Sequence, residues 1–484
     1  MSAARFGARL AARRLAPLAV ALALAACTTL EPELPAADAS IPAQWPLPPT
    51  TAGAAQGESA QGVFGAQRGM IDVGWRDFFV DPTLERLIEQ ALANNRDLRV
   101  AALNVERAQA LYRVQRAEQL PAVGVQGTAT RASGTGPRFS DQYSVSLGLA
   151  AFEIDLFGRV RSLSRAALEQ YFATESAQRS VQLTLVGEVA NAYLTWMADR
   201  EATRVAQAAL VNREQALDLT RKRYEYGAVG ALDVSQAETS VEQARTDASR
   251  FAGQAAQDLN ALRLLVGATI DEASIPDRFD PVVSGLRALP AGVPSEVLLR
   301  RPDVVQAEHR LLAANANIGA ARAAFFPSIQ LTGAIGTASS ELSGLFGSGS
   351  RFWTFGPQLN LPIFQGGALR ANLRATQAER DIALAQYEQS IQAGFREVAD
   401  ALALTRTLSE QKAAQLALVA AAGRAEELSR ARYEAGRDSY LVLLDAQRTL
   451  YGARQSLIAT QLAEQANRVS LYRVLGGGWN ERTQ

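Results

Sequence analysis

The chain has 484 residues, with 49 basic and 49 acidic side chains and a formal net charge of zero, so nothing in its electrostatics points to nucleic acid or an anionic surface. Its single cysteine and single histidine exclude internal disulfides, thiolate clusters and metal or haem centres built on several imidazoles. The histidine, His309, has no nucleophile motif beside it in Arg300–Arg310 and reads as structural or solvated; no catalytic residue, metal site or cofactor is expected.

Residues 1–26 read as a signal peptide. Arg5, Arg9, Arg13 and Arg14 form a cationic start, and the apolar run Leu15–Ala26 is too short to span a bilayer. It ends in Leu24-Ala25-Ala26-Cys27, which resembles the bacterial lipoprotein cleavage box and makes Cys27 the expected lipidation site. The alternative is an ordinary secretory signal with an incidental cysteine. Thr28 in place of an aspartate favours sorting to the outer membrane, by resemblance to known lipoproteins. Residues 27–71, rich in Pro, Ala, Gly and Ser, read as a lipid-anchored extended tether.

Two copies of one structural repeat follow, expected over 72–275 and 276–484. Arg221, Arg223, Tyr224, Glu225, Gly227 and Leu232 recur at a shift of 209 as Arg430, Arg432, Tyr433, Glu434, Gly436 and Leu441. Leu120-Pro121 recurs as Phe326-Pro327 at a shift of 206, which places a three-residue insertion near Gln365-Gly366-Gly367. In chain order the first copy predicts a helix over 83–118, strands over 121–131 and 142–154, and helices over 159–224 and 231–266. The second predicts a helix over 295–325, strands over 327–337 and 352–362, and helices over 367–433 and 440–475. No proline occurs from Arg138 to Ile275 or after Pro362, which permits helices of about 100 Å at 1.5 Å per residue. Leu183, Val186, Ala190, Tyr193 and Met197 step by three and four, as do Val241, Ala244, Ala248, Phe251 and Ala255. Such seams predict coiled-coil packing.

The four strand-like segments alternate. Val123 and Val125, Tyr143 to Leu149, Ile329 and Leu331, and Trp353 and Phe355 share one apolar face, opposite small polar residues. That pattern fits a soluble sandwich or a membrane barrel; the secretion signal and lipid site favour the barrel. Four strands cannot close one, and an open edge in lipid leaves backbone groups unpaired, so several copies must contribute.

Several further runs carry a family likeness: Gly292-Val293-Pro294-Ser295, Leu299-Arg300-Arg301-Pro302-Asp303, Ile318-Gly319-Ala320-Ala321-Arg322-Ala323 with Phe326-Pro327, the two Tyr-Glu-x-Gly turns, and Leu443-Leu444-Asp445-Ala446-Gln447. Through them, from about residue 72 to 476, the chain resembles the TolC-like outer-membrane efflux channels, in the lipoprotein branch that serves resistance-nodulation-division pumps. The resemblance implies a mixed fold of membrane β-barrel and long α-helical barrel. It implies a homotrimer with a 12-stranded barrel and a periplasmic tunnel, and a belt drawn from 72–90, 268–295 and the C-terminal tail. The implied partners are a periplasmic adaptor (membrane fusion protein), an inner-membrane pump and outer-membrane lipid, without nucleic acid.

On that resemblance the turn residues Gly227, Ala228, Val229, Gly230 and Gly436 are candidate adaptor-docking positions, besides their local role as helix-hairpin caps. Tyr433, Asp438 and Asp445 are candidate periplasmic gate residues. Asp438 reads equally as a solvated loop charge, whereas Asp445 aligns with the family's pore-facing aspartate. The expected function is a passive, non-enzymatic conduit for small toxic compounds or drugs. A channel for metal cations or secreted protein is the alternative, and a pore-less adaptor or scaffold lipoprotein is the reading from another class.

Overall fold

The computed structural model describes residues 29–42, 73–133, 139–276, 279, 295–478 and 480–483. The expected signal peptide, Cys27, most of the tether and much of 268–295 lie outside the described residues. In chain order the elements are α1 (Trp75–Phe78), α2 (Pro82–Asn94), α3 (Arg96–Ala117), β1 (Val123–Ser133), β2 (Phe139–Ile154), α4 (Arg159–Glu225) and α5 (Ala231–Val266). Then come α6 (Pro302–Ala323), β3 (Ser328–Ser339), β4 (Arg351–Asn360), α7 (Ala368–Glu434) and α8 (Tyr440–Val474).

The duplication is visible in element lengths. Helices α4 and α7 both have 67 residues, offset by the same 209 positions as the turn motifs. Four residues, 155–158, link β2 to α4, and seven, 361–367, link β4 to α7. The difference of three accounts for the change of shift from 206 to 209.

Two expected helices are corrected. The single helix over 83–118 is broken at Asn95, whose side-chain Oδ1 accepts from the backbone N–H groups of Asp97 (2.9 Å) and Leu98 (3.0 Å). Its Nδ2 donates to the Leu265 carbonyl at 2.9 Å, so the residue ends one helix, caps the next and ties both to α5. The helix over 295–325 starts only at Pro302, because a proline suits the first helical turn and disfavours helix in the residue before it. Ser295–Arg300 forms a 3₁₀ turn instead.

The chain forms two compact units, and each draws on both repeats. The first comprises 1–38, 103–176 and 305–389 and holds the sheet. Its strands lie antiparallel in the order β1-β2-β3-β4. The register sets Val125 against Leu147, Leu147 against Ile335 and Ile335 against Trp353, so one face is apolar across all four strands. The opposite face carries Thr128 against Ser144, joined at 2.6 Å, and Gln330 against Gln358. Between Leu149 and Phe152 β2 carries a bulge, where Ala151 has φ +44°. The extra residue reverses the alternation, and so Phe152 stays on the apolar face opposite Leu331. The apolar face is open: Val125, Ile335, Trp353 and Phe355 are exposed. The outer edges of β1 and β4 have no strand neighbour among the described residues. His309 also lies in this unit, with Nδ1 2.8 Å from Glu169 and its ring beside Phe172.

The second unit comprises 39–102, 177–304 and 390–484. Its core gathers Trp75, Phe78, Leu84, Val189, Leu262 and Tyr472. Phe78 stacks on Tyr472 at 3.8 Å, and the Tyr472 hydroxyl donates to the Val73 carbonyl at 2.7 Å. The C-terminal tail closes this region, since Asn480 and Glu481 carbonyls accept from the N–H groups of Trp75 and Arg76. Arg301 of the Leu-Arg-Arg-Pro-Asp run is buried here and donates to Asp303, Glu397 and the Val474 carbonyl at the end of α8. Burial alone would lower its pKa, but the two carboxylates outweigh it and keep the guanidinium charged.

Candidate functional site at the helix turns

The two inter-helix turns are built alike. Gly227 has φ +72° and Gly436 φ +71°, a left-handed conformation that costs a residue with a side chain more than it costs glycine. The Ala228 N–H donates to the Arg223 carbonyl (2.8 Å) and the Gly227 N–H to that of Tyr224 (2.9 Å). The second turn repeats the pair, from Arg437 to Arg432 and from Gly436 to Tyr433, both at 2.9 Å. This is the Schellman arrangement, which satisfies the last carbonyls of a helix. Gly230 then opens α5, its N–H donating to Asp233 at 3.1 Å. Around the first turn Gly227, Ala228 and Gly230 are exposed, Val229 is half-buried, and Tyr226 and Leu232 project into solvent; Gly436 is exposed at the second.

The side chains break the symmetry of the backbone. Tyr224 is half-exposed, whereas its copy Tyr433 is 1% exposed. The Tyr433 hydroxyl lies 2.7 Å from that of Thr220, and Thr220 itself donates to the Ala216 carbonyl at 2.7 Å. Threonine has one hydroxyl proton, so Tyr433 is the donor between the two. Arg223 donates to the carbonyls of Tyr433 (2.7 Å) and Glu434 (3.0 Å), with its guanidinium 4.4 Å from the Tyr433 ring centroid. A cation thus sits at the C-terminal end of α7, where the helix dipole favours it. Tyr440 meets Tyr433 edge-on at 5.9 Å, and Leu217, Val241, Leu443 and Leu444 complete a small core.

The repeat-equivalent Arg432 faces the other way and grips Asp438 through two bonds of 2.6 and 2.9 Å. That hydrogen bonding holds the Asp438 carboxyl below the usual carboxylate range. Asp445 is exposed on α8, without an ion pair among the described residues. The structure therefore separates two residues that look alike in the sequence: the Asp438 charge is compensated within its own turn, and that of Asp445 is not.

Farther from the turns, Arg213 is buried and donates to the Ser240 carbonyl at 3.0 Å, its guanidinium 5.5 Å from the Tyr451 ring centroid. Burial pulls the Arg213 pKa down and pushes the Tyr440 and Tyr451 hydroxyls up. Beside it lies a cavity of about 350 Å³ lined by α4, α7 and α8, among them Asn212, Glu426, Gln447 and Arg454. Thr220 and Arg213 were not among the residues singled out in the sequence, and Arg223 was noted there only as part of the repeated turn motif. The usable signal was asymmetry between the copies: positions 229 and 236, which correspond to Asp438 and Asp445, hold Val229 and Gln236.

The protein-family model described as "Outer membrane efflux protein" matches residues 87–268 and 293–477. The antibiotic efflux pump outer membrane protein ArpC of Pseudomonas putida is 45% identical over 478 residues, 97% of each chain. The toluene efflux pump outer membrane protein TtgC, also of P. putida, is likewise 45% identical over 97% of each chain. Among solved structures, the open-state MtrE outer membrane channel of Neisseria gonorrhoeae superposes with a TM-score of 0.83 at 37% identity, covering 94% of this chain and 100% of its own.

Proposed function

Because the chain belongs to the outer membrane efflux protein family, we propose that three copies assemble into one passive conduit through the outer membrane. The observation that carries this is the four-stranded sheet with one apolar face and two edges that have no strand neighbour among the described residues. In hydrocarbon each unpaired backbone group costs several kcal/mol, so the edge of β4 must meet β1 of another copy. Two copies give eight strands, a barrel filled by its own side chains, whereas three give twelve and leave a lumen. The apolar face, with Trp353 and Tyr143, then meets lipid, and Thr128, Ser144 and Gln330 line the water-filled interior.

The paired long helices extend the conduit into the periplasm as a tunnel. The exposed turns around Gly227–Gly230 and Gly436 are the docking positions for a periplasmic adaptor that links the channel to an inner-membrane pump. Tyr433 latches the end of α7 through Thr220 and Arg223, and Asp445 supplies a ring of carboxylates around the constriction. Cys27 carries the lipid anchor. The cargo is small toxic compounds, a reading supported by the antibiotic and toluene efflux pumps to which the P. putida relatives belong. None of these steps calls for enzymatic chemistry.

Light scattering on detergent-purified protein tests the assembly. A mass near three times the 51.8 kDa chain, less the cleaved leader, together with conductance in planar bilayers, is expected. A monomer that is stable and conducts overturns the reading.

A further inference from the structure

Arg213 on α4 is a buried charge, 5% exposed, that no carboxylate touches among the described residues. Its guanidinium donates to the Ser240 carbonyl and faces the Tyr451 ring. The carboxylates of this region are engaged elsewhere. Glu426 accepts two bonds from Arg430, while Asp247 accepts from the Tyr451 hydroxyl at 3.3 Å and pairs with Arg250 at 3.5 Å. A buried ion left without a partner is strongly destabilising. Helix packing does not require one here, because at the repeat-equivalent position, 209 residues on, α7 buries Ala422.

The cavity of about 350 Å³ beside Arg213 lies in the size range of small-molecule sites. Its charged lining is Arg213, Arg430, Arg454, Glu426 and Glu427. Three positive charges against two negative leave one positive charge to be matched. Val205, Ala209, Leu450 and the Tyr451 ring supply an apolar wall. Gln447 lines the cavity too; it is 8% exposed, and its buried Oε1 has no hydrogen-bond partner among the described residues. None of Arg213, Gln447 and Tyr451 recurs in the other copy, where Ala422, Glu238 and Glu242 stand instead. The cavity thus combines a free cation, a bare acceptor and an apolar wall, and the duplication does not account for them.

We propose that this cavity binds a small organic monocarboxylate with a flat apolar body and a hydroxyl group, of the hydroxybenzoate class. The carboxylate meets the Arg213 guanidinium, whose planar fork matches two carboxylate oxygens. The ring lies against Leu450 and Tyr451, and the hydroxyl donates to Gln447 Oε1. An inorganic anion would satisfy the arginine and leave both the apolar wall and the glutamine unmet. The bound acid joins α4 to α8 and, through the bond from Arg213 to Ser240, to α5. Ser240 adjoins Val241 of the small core around Tyr433, so the ligand braces the helices behind that core.

Titration calorimetry of the full-length protein in detergent with para-hydroxybenzoate, set against protein-free micelles, tests the site. Saturable binding with a dissociation constant of about 1 mM or tighter is expected for a ligand of this size. Two probes divide the recognition: para-hydroxybenzamide keeps the shape without the charge, and acetate keeps the charge without the ring. Each should bind about tenfold more weakly or worse. Arg213→Gln should weaken para-hydroxybenzoate binding by about tenfold or more. Because loss of a buried arginine also touches folding, Ala209→Leu is the second variant. It narrows the cavity, keeps every charge and should weaken binding while the protein elutes as wild type. Absence of saturable binding to the wild type overturns the proposal. So does benzamide or acetate binding as tight as that of the acid, or wild-type affinity in either variant.

Discussion

The latch around Tyr433 yields the most quantitative test. Tyr433→Phe keeps the ring, its edge contact with Tyr440 and the Arg223 guanidinium above it, and removes only the proton donated to Thr220. The Thr220 oxygen is fully buried, and stranding such an acceptor costs about 1–2 kcal/mol, a 5–30-fold shift in a two-state population. Arg223→Gln loses a charged donor to two carbonyls, about 1.5–3 kcal/mol. Thr220→Val removes the acceptor itself, so Tyr433→Phe made on that background should cost less than on wild type, with a coupling of about 1 kcal/mol. If the latch holds the end of α7 on α4 in the closed tip, all three single variants raise the open probability of single channels in planar bilayers, Arg223→Gln most. Wild-type open probability in all three, or strict additivity of Tyr433→Phe and Thr220→Val, refutes the latch.

Asp445→Ala should weaken cation preference in bilayer recordings at 0.01 M salt and change little at 1 M, where the Debye length falls from about 30 to about 3 Å; Asp438→Ala, already neutralised by Arg432, should move selectivity less. Cys27→Ala should abolish palmitate incorporation, since the chain has no second thiol. Burial, reinforced by a hydrogen bond and like charge from Asp258, pushes Asp199 up to about 6 against the partial relief of Arg250. A raised carboxylate means that the folded state holds the proton more tightly, so this stability is present below about pH 4 and lost as pH rises through 6. Two pK units correspond to about 3 kcal/mol, reduced to roughly 1 by solvent screening at this half-exposed pair. Asp258→Asn should therefore raise thermal stability relative to wild type at pH 7.5 and leave it unchanged at pH 4.

The long helices were legible because proline-free, seam-patterned stretches admit few other structures, and the turns because Tyr-Glu-x-Gly recurs at a fixed shift. The break at Asn95 was not legible. An asparagine inside a periodic run is ordinary until Leu265, 170 residues away, offers its carbonyl. The bulge at Ala151 was hidden for a related reason: Leu149, Ala150, Ala151 and Phe152 are apolar on either register, and only pairing with β3 decides which face each takes. Residues 29–38 misled most, since their composition describes a tether and their order is imposed by Arg322, 292 positions downstream. At the site, Tyr433 was legible from the repeat. Thr220 was not, and Arg223 was legible only as a repeated residue, because the roles of both depend on which copy of the turn they face.

The duplication also explains where new function could arise. Helices α4 and α7 have equal lengths of 67 residues, which amounts to about 100 Å of helix in each copy at 1.5 Å per residue. Any change of length in one helix alone would offset the turns and break the bonds from Arg223 to the end of α7. The copies thus keep the same helix lengths, while their side chains diverge both along the helices, where Ala422 stands for Arg213, and where a helix ends. At one end lies the three-residue difference in the link before α7. At the other, Tyr224 faces outward while Tyr433 is buried, Val229 stands where the second copy has Asp438, and Gln236 where it has Asp445. One turn is left with exposed Tyr226 and Leu232, beside the proposed docking positions. Its twin carries the buried tyrosine and the Arg432–Asp438 pair, with the exposed Asp445 farther along α8. A swap of the two turn sequences, Tyr224–Gly230 for Tyr433–Ser439, tests this division. The chimera keeps every helix length, so it should still assemble, yet it takes Asp438 and Ser439 away from α8 and should change open probability at the tip. A chimera with wild-type gating would show that the division lies elsewhere in the helices.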